Sequence, residues 1–255
     1  MQRIGVFVYG VVAYACFLAT FLYAVGFVGG FGVPRTLDSA AEGPIGTALL
    51  VDVLLLAAFA LQHSVMARPA FKRRWTQIVP EPAERSTYVL ASSLALLLLF
   101  WQWRPIGGVV WEVESPVGQA ILYAIFAAGW LTVLVTTFLI NHFDLFGLRQ
   151  VWFHLRGEPY RPLTFVTPGP YRLVRHPLYV GWLLAFWATP MMTAAHVLFA
   201  VMTTAYILVA IQLEERDLGA VHGERYAEYR RNVPMLVPRV RVAHPTAELA
   251  RPDAA

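Results

Sequence analysis

The chain has 255 residues, of which 58% are hydrophobic and 14% are charged, whereas soluble domains usually carry about 25% charged residues. Its formal net charge of +4 comes from basic residues that lie between apolar runs and not in one patch, so we expect no nucleic-acid partner. A single cysteine, Cys16, excludes an intrachain disulfide and a multi-cysteine metal site, and we predict no bound metal.

Four apolar stretches in the first 140 residues are predicted to cross a membrane. A transmembrane helix requires about 20 mostly apolar residues, because lipid offers the backbone no hydrogen-bond partners. The third stretch ends in Trp101 and Trp103, as expected for aromatic residues at a membrane interface. The stretches cover residues 4–28, 45–66, 87–103 and 117–140.

A fifth apolar run, residues 178–213, is too long for one span. As a single helix it would measure roughly 54 Å at 1.5 Å per residue, against a hydrocarbon core of about 30 Å. Pro190 lies in its first half, where it interrupts helical hydrogen bonding. The sequence therefore predicts a helical hairpin that turns near Pro190.

The basic residues predict the orientation of these spans. Of the 20 lysines and arginines, 18 lie at the N-terminus, in residues 67–85 and 142–176, and after residue 213; the exceptions are Arg35 and Arg104. Cytoplasmic loops are enriched in lysine and arginine. We therefore predict an all-α integral membrane protein with four transmembrane helices, a C-terminal helical hairpin, and both termini in the cytoplasm.

Polar residues at the two ends of the hairpin form the strongest candidate site. His176 precedes the hairpin and Glu214 and Glu215 follow it, so the fold would bring them together on the cytoplasmic side. Paired carboxylates at a membrane edge require a cationic partner or ligand. Physical reasoning alone leaves two interpretations open, namely a ligand site and an ion-pair cluster that orients the hairpin.

These residues resemble the C-terminal signature of the isoprenylcysteine carboxyl methyltransferase and phospholipid N-methyltransferase superfamily. The shared pattern is Arg-His-Pro-x-Tyr, a long apolar stretch, Glu-Glu, then Tyr-x-x-Tyr and Val-Pro, and it covers roughly residues 165–238. The resemblance implies a cytoplasmic site for S-adenosylmethionine. The cofactor-binding residues that it implies are Arg175, His176, Tyr179, Glu214, Glu215 and Tyr229.

The whole chain is most similar to one branch, the bacterial methanethiol S-methyltransferases, through residues 141–150 and 167–171. This resemblance implies methylation of methanethiol to dimethyl sulfide and of hydrogen sulfide to methanethiol, in the bacterial inner membrane. It also implies three regions. They are a four-helix transmembrane region (1–141), a methyltransferase core (142–242) and a flexible tail (243–255).

The acceptor thiol needs a base, since an alkyl thiol is only a few per cent ionised at neutral pH. We favour Asp144 and His142, which belong to the segment most particular to the branch, with His63 as a third candidate. Each has a structural alternative. Asp144 would cap a helix end, His142 would lie at the interface, and His63 would hydrogen-bond between spans.

Three other functions remain open at this stage. The acceptor could be an isoprenylcysteine carboxylate or a lipid amine. The chain could be a non-catalytic membrane protein related to nitrogen-oxide metabolism. Sterol reductases share a related signature with a nicotinamide cofactor. The sequence predicts membrane lipid as the surroundings and makes no prediction of the oligomeric state.

Overall fold

The structure, a computed structural model, describes residues 2–41 and 43–238. The predicted flexible tail, residues 243–255, lies outside the described residues. Ten α-helices are present in the described part: α1 (Gln2–Gly29), α2 (Ile45–Ala67), α3 (Pro69–Trp75), α4 (Glu81–Gln102), α5 (Pro116–Ile140), α6 (His142–Leu145), α7 (Leu148–Arg156), α8 (Pro177–Trp187), α9 (Ala194–His222) and α10 (Glu224–Asn232).

Five of these helices, α1, α2, α4, α5 and α9, are long and apolar enough to cross a membrane, and α8 is a shorter apolar helix. Their outward faces carry many exposed large apolar side chains, such as Leu22, Leu50 and Leu131. Surfaces of this kind are stable in lipid and unstable in water. The prediction of a mostly helical integral membrane protein is therefore confirmed.

The fold contains one small sheet that the sequence analysis did not predict. Strand β1 (Val109–Glu112) pairs antiparallel with strand β2 (Met191–Thr193). The pairing joins the connection before α5 to the turn between α8 and α9, two segments that are far apart in sequence. It satisfies backbone groups of both segments at one end of the helix bundle.

Residues 178–213 are divided near Pro190 into α8 and α9. Pro177 occupies the first turn of α8, where its missing N–H costs nothing. The Thr193 side chain caps α9 by accepting from the backbone N–H of His196 at 3.2 Å. His176 at the start of α8 contacts Glu215 near the end of α9, and Phe186 near the end of α8 contacts His196 near the start of α9, so the two helices run antiparallel.

A buried polar cluster fixes the turn between α8 and α9. Nδ1 of His196 lies 2.8 Å from the carboxylate of Asp38, and Nε2 lies 3.0 Å from the carbonyl oxygen of Phe186. Asp38 also accepts from the hydroxyl of Thr193 at 2.7 Å. The cluster ties the connection after α1 to the hairpin turn.

Contacts between the helices give their directions. Helices α1, α4 and α8 run one way, while α2, α5 and α9 run the opposite way. The closest approach is between α5 and α8, where a Cβ at Gly129 would lie 2.8 Å from the carbonyl oxygen of Gly181. As a result, residues 68–80, 141–176 and 223–238 meet at one end of the bundle.

Candidate active site

Glu215 is the centre of a buried ion-pair cluster at that end of the bundle. Its side chain is 3% exposed and lies on α9, facing the start of α8. One carboxylate oxygen accepts from Nε of Arg175 at 2.7 Å and from Nε2 of His176 at 3.0 Å. The other oxygen lies 3.3 Å from Nε of Arg230 on α10. Two guanidinium groups and the hydrogen bond from His176 allow this carboxylate to be buried.

Arg175 extends the cluster to the chain that follows α10. Its guanidinium donates to the carbonyl oxygens of Arg230 at 3.1 Å and Val233 at 2.5 Å. The backbone N–H of Arg175 donates to the carbonyl oxygen of Pro234 at 2.8 Å. Thus Arg175 and Glu215 hold α8, α9 and α10 together, as the structural interpretation of this motif requires.

Glu214 has different surroundings, although it is the next residue. Its side chain is 45% exposed, and one oxygen accepts from the hydroxyl of Tyr179 at 3.0 Å. Nδ1 of His176 lies 3.9 Å away, which is too far for a hydrogen bond. Glu214 therefore retains the capacity to bind a ligand.

An open groove of about 590 Å³ begins on the other side of Glu215. It is lined by α9 and α10, and two of its residues, Gly219 and Gly223, have nothing within 4 Å of the position of a Cβ atom. The groove is therefore wide where these glycines occur. Its polar lining residues are Glu215, Tyr226, Arg230 and Arg231.

Tyr226 lines the groove and was not selected by the sequence analysis. Its side chain is 2% exposed, and its hydroxyl has no hydrogen-bond partner among the described residues. Burial raises the pKa of Tyr226, and the nearby charge of Glu215 adds to this, so the hydroxyl remains a donor. The only signal in the sequence was the Tyr-x-x-Tyr spacing, from which Tyr229 was chosen.

Tyr229, the residue predicted to bind the cofactor, is engaged within the protein. Its hydroxyl donates to the carbonyl oxygen of Tyr171 at 2.6 Å. Burial raises the pKa of Tyr229 to about 12. It packs against Phe165 with a ring separation of 5.5 Å, so it positions residues 165–171 beside α10.

His63 belongs to a polar cluster between α2, α4 and α9. Its Nε2 lies 2.8 Å from the hydroxyl of Tyr88, and its Nδ1 lies 3.1 Å from the hydroxyl of Ser92. The ring of Tyr206 is 6.4 Å from that of His63. Both hydroxyl partners can donate or accept, so a neutral His63 fits this site. Arg68, which directly follows α2, donates to the carbonyl oxygen of Leu213 at 3.2 Å, so the His63 cluster and Glu214 lie toward the same end of the bundle.

His142 and Asp144, the favoured bases, have other partners. His142 is buried between the hydroxyls of Tyr14 and Thr137, each 2.8 Å from a ring nitrogen, and burial lowers its pKa. Asp144 accepts from Arg149 and Tyr160, both at 2.9 Å. In the described residues, none of these contacts reaches Glu214 or Glu215.

Arg85 connects the two regions and was also missed. Its Nε donates to the carbonyl oxygen of Leu145 at 2.7 Å, and its guanidinium lies 5.2 Å from the ring centre of Tyr88. Segment 141–150 therefore contacts the His63 cluster through a positive charge. In the sequence, Arg85 is a basic residue one turn before Tyr88 on α4. Its charge indicated only the orientation of the helix in the membrane.

Comparisons with known proteins identify related sequences. The sequence profile of the phospholipid methyltransferase family matches residues 120–225, which include most of α5, all of α8 and α9, and Arg175, His176 and Glu215 of the buried cluster. Methanethiol S-methyltransferase of Crocosphaera subtropica is 61% identical over 238 residues, which cover 93% of each chain. The enzyme of the same name from Mycobacterium tuberculosis is 56% identical over 93% of this chain and 98% of its own.

A more distant relative is Nurim of Mus musculus, which is 32% identical over 71% of this chain and 72% of its own. No solved structure matches the chain. The alignments with the two methyltransferases cover 93% of this chain, so the similarity extends beyond the residues that the family profile matches.

Proposed function

The chain belongs to the methanethiol S-methyltransferase family, and we propose that it transfers a methyl group from S-adenosylmethionine to methanethiol, giving dimethyl sulfide. Methylation of hydrogen sulfide to methanethiol is the second proposed reaction. The observation that carries the proposal is the exposed carboxylate of Glu214, which is next to Glu215 in the lining of the α9–α10 groove and within electrostatic range of Tyr88 in the His63 cluster. Family membership favours methyl transfer over a nicotinamide-dependent or a non-catalytic role.

The groove and its surroundings have the chemistry to hold S-adenosylmethionine. The volume of about 590 Å³ lies within the ~300–1,000 Å³ of typical ligand sites. Arg230 and Arg231 are 59% and 62% exposed and suit the carboxylate of an amino acid. Glu214 supplies a negative charge for a cationic ligand.

The acceptor thiol would bind on the other side of Glu214, next to His63. S-adenosylmethionine, when bound, supplies a methyl group on a sulfonium sulfur, which departs as a neutral thioether. The thiol sulfur forms the new C–S bond as the donor C–S bond breaks, and its proton passes to Nε2 of His63 directly or through Tyr88. Arg85 stabilises the thiolate, and Tyr88 and Tyr179 hold His63 and Glu214 in place.

We also propose an inner-membrane location with both termini in the cytoplasm. Four spans and the α8–α9 hairpin would put residues 68–80, 141–176 and 223–238 on the cytoplasmic side. This orientation rests on the basic residues of these three segments.

The test of this function is headspace gas chromatography of the purified, detergent-solubilised protein. We expect dimethyl sulfide when S-adenosylmethionine and methanethiol are both present, and methanethiol when sulfide is the acceptor. Calorimetry with S-adenosylmethionine alone measures cofactor binding separately. Binding without product would indicate another acceptor, for example an isoprenylcysteine carboxylate or a lipid amine, while absence of binding would overturn the proposed function.

Gly219→Leu is expected to weaken S-adenosylmethionine binding about tenfold or more. A Cβ at Gly219 meets nothing within 4 Å, so a leucine there fits the fold but fills the groove. Gly5→Leu is the matched control, because Gly5 is also a helical glycine with open space around it and lies outside the groove. If Gly219→Leu binds S-adenosylmethionine as tightly as the wild type does, the groove is not the cofactor site.

A further inference from the structure

A second, apolar groove lies between α2 and α9. It has a volume of about 270 Å³ and exposes almost only carbon to its interior. Both helices are apolar enough to cross a membrane, and the groove occurs near the middle of α2. Its lining includes Leu56, Phe59, Ala60, Met202, Tyr206 and Val209.

The outer side of this groove faces lipid once the protein is in a bilayer. Val209 at its rim is 58% exposed, and the adjacent Leu208 is 42% exposed. Both lie within a membrane-spanning segment, where an exposed apolar side chain contacts hydrocarbon and not water. The groove is thus open to molecules dissolved in the membrane.

The inner side of the groove is formed by two aromatic residues that also pack against His63. Phe59 stacks on His63 with ring centres 5.3 Å apart. Tyr206 lies 6.4 Å from the same ring, and its hydroxyl accepts from Ser64 at 3.2 Å. His63 keeps part of its surface exposed. The groove is therefore separated from the imidazole by the side chains of Phe59 and Tyr206, which contact both.

We propose that this groove admits the acceptor, a small uncharged alkyl thiol, directly from the bilayer. The inference rests on the proposed function. The volume of about 270 Å³ is below the ~300–1,000 Å³ of drug-sized ligand sites, and it is sufficient for a thiol of one to a few carbons. An apolar lining favours the neutral thiol over the thiolate, which is formed only at His63.

The groove also explains how water is kept from the reaction. The thiol would reach His63 through an apolar passage, while the cofactor would enter from the opposite, basic end of the bundle. Methyl donor and acceptor then meet beside Glu214 without a shared aqueous channel, so hydrolysis of the donor is disfavoured.

Ala60→Trp tests the path, with Ala58→Trp as its matched control. Ala60 lines the groove, whereas Ala58 is an exposed alanine two residues away on the same helix and is not among the lining residues. In proteoliposomes we expect Ala60→Trp to raise KM for methanethiol about tenfold or more, with unchanged affinity for S-adenosylmethionine. Ala58→Trp is expected to match the wild type in both quantities.

Met202→Ala provides an independent measurement, because it should widen the groove. We expect kcat/KM for butanethiol relative to methanethiol to rise about tenfold in this variant. If the wild type is active and Ala60→Trp retains its KM while Met202→Ala retains its acceptor preference, the groove is not the path. If the wild type makes no dimethyl sulfide, the proposed function fails and the inference fails with it.

Discussion

Glu215→Ala is expected to destabilise the protein by about 3–5 kcal/mol, because removal of one member of a buried ion-pair cluster leaves the others uncompensated. The positive charges of Arg175 and Arg230 would lose their shared carboxylate, and His176 would lose its 3.0 Å hydrogen bond. Since Arg175 also holds the chain after α10, the cofactor groove should lose its shape. Cofactor binding is expected to disappear together with the stability.

Glu214→Ala is the matched control for this prediction, since it removes the same side chain one residue away. Glu214 is 45% exposed and accepts one hydrogen bond, from Tyr179. We expect this variant to lose less than about 1.5 kcal/mol, while its affinity for S-adenosylmethionine still falls strongly. Thermal unfolding in detergent and calorimetry with the cofactor measure the two effects separately.

Glu215→Gln distinguishes charge from packing, because it keeps the volume of the side chain and an acceptor oxygen. We expect its stability to lie between those of the wild type and Glu215→Ala. An equal loss of stability in Glu214→Ala and Glu215→Ala would show that the two carboxylates do not have separate roles. The ion-pair role could then not be assigned to Glu215 alone, nor the ligand-binding role to Glu214 alone.

The sequence was sufficient to predict features that depend on composition and local pattern. Apolar run length identified the membrane helices, and the excess length of residues 178–213 with Pro190 indicated a break in that run. The pattern from His176 to Glu215 was recognisable because the two ends of the apolar run must return to the same end of the bundle. Each of these predictions requires only the order of residues along the chain and the thickness of a bilayer.

Features that depend on contacts between distant helices were not predictable. Glu214 and Glu215 are adjacent in the sequence, yet a helix turns successive side chains by about 100°, so one faces a buried cluster and the other remains exposed. The free hydroxyl of Tyr226 and the contact of Arg85 with Tyr88 depend on the positions of neighbouring side chains. The pairing of β1 with β2 joins segments about 80 residues apart, for which no local signal exists.

The choice of base is the point at which sequence and structure favour different residues. The sequence favours Asp144 and His142 because they belong to the segment most particular to the family. The structure gives Asp144 two partners, Arg149 and Tyr160. It joins His63 to Tyr88, which lies within electrostatic range of Glu214. These alternatives predict different kinetics.

His63→Gln is expected to lower kcat about 100-fold or more, with little change in affinity for S-adenosylmethionine. Glutamine can retain hydrogen bonds to Tyr88 and Ser92 but cannot accept the thiol proton. The residual rate should rise about tenfold per pH unit below the pKa of the thiol, because the variant depends on thiolate formed in solution. The wild type should respond less steeply to pH.

His142→Gln is the matched control, because His142 is likewise a histidine held between two hydroxyl groups, those of Tyr14 and Thr137. We expect it to retain most of the wild-type kcat and its pH profile, and we expect the same of Asp144→Asn. If His142→Gln or Asp144→Asn shows the large loss and the steep pH dependence while His63→Gln does not, the base lies in segment 141–150. The thiol would then bind next to segment 141–150. Arg85 and Tyr88 would lie between it and the groove of α2 and α9.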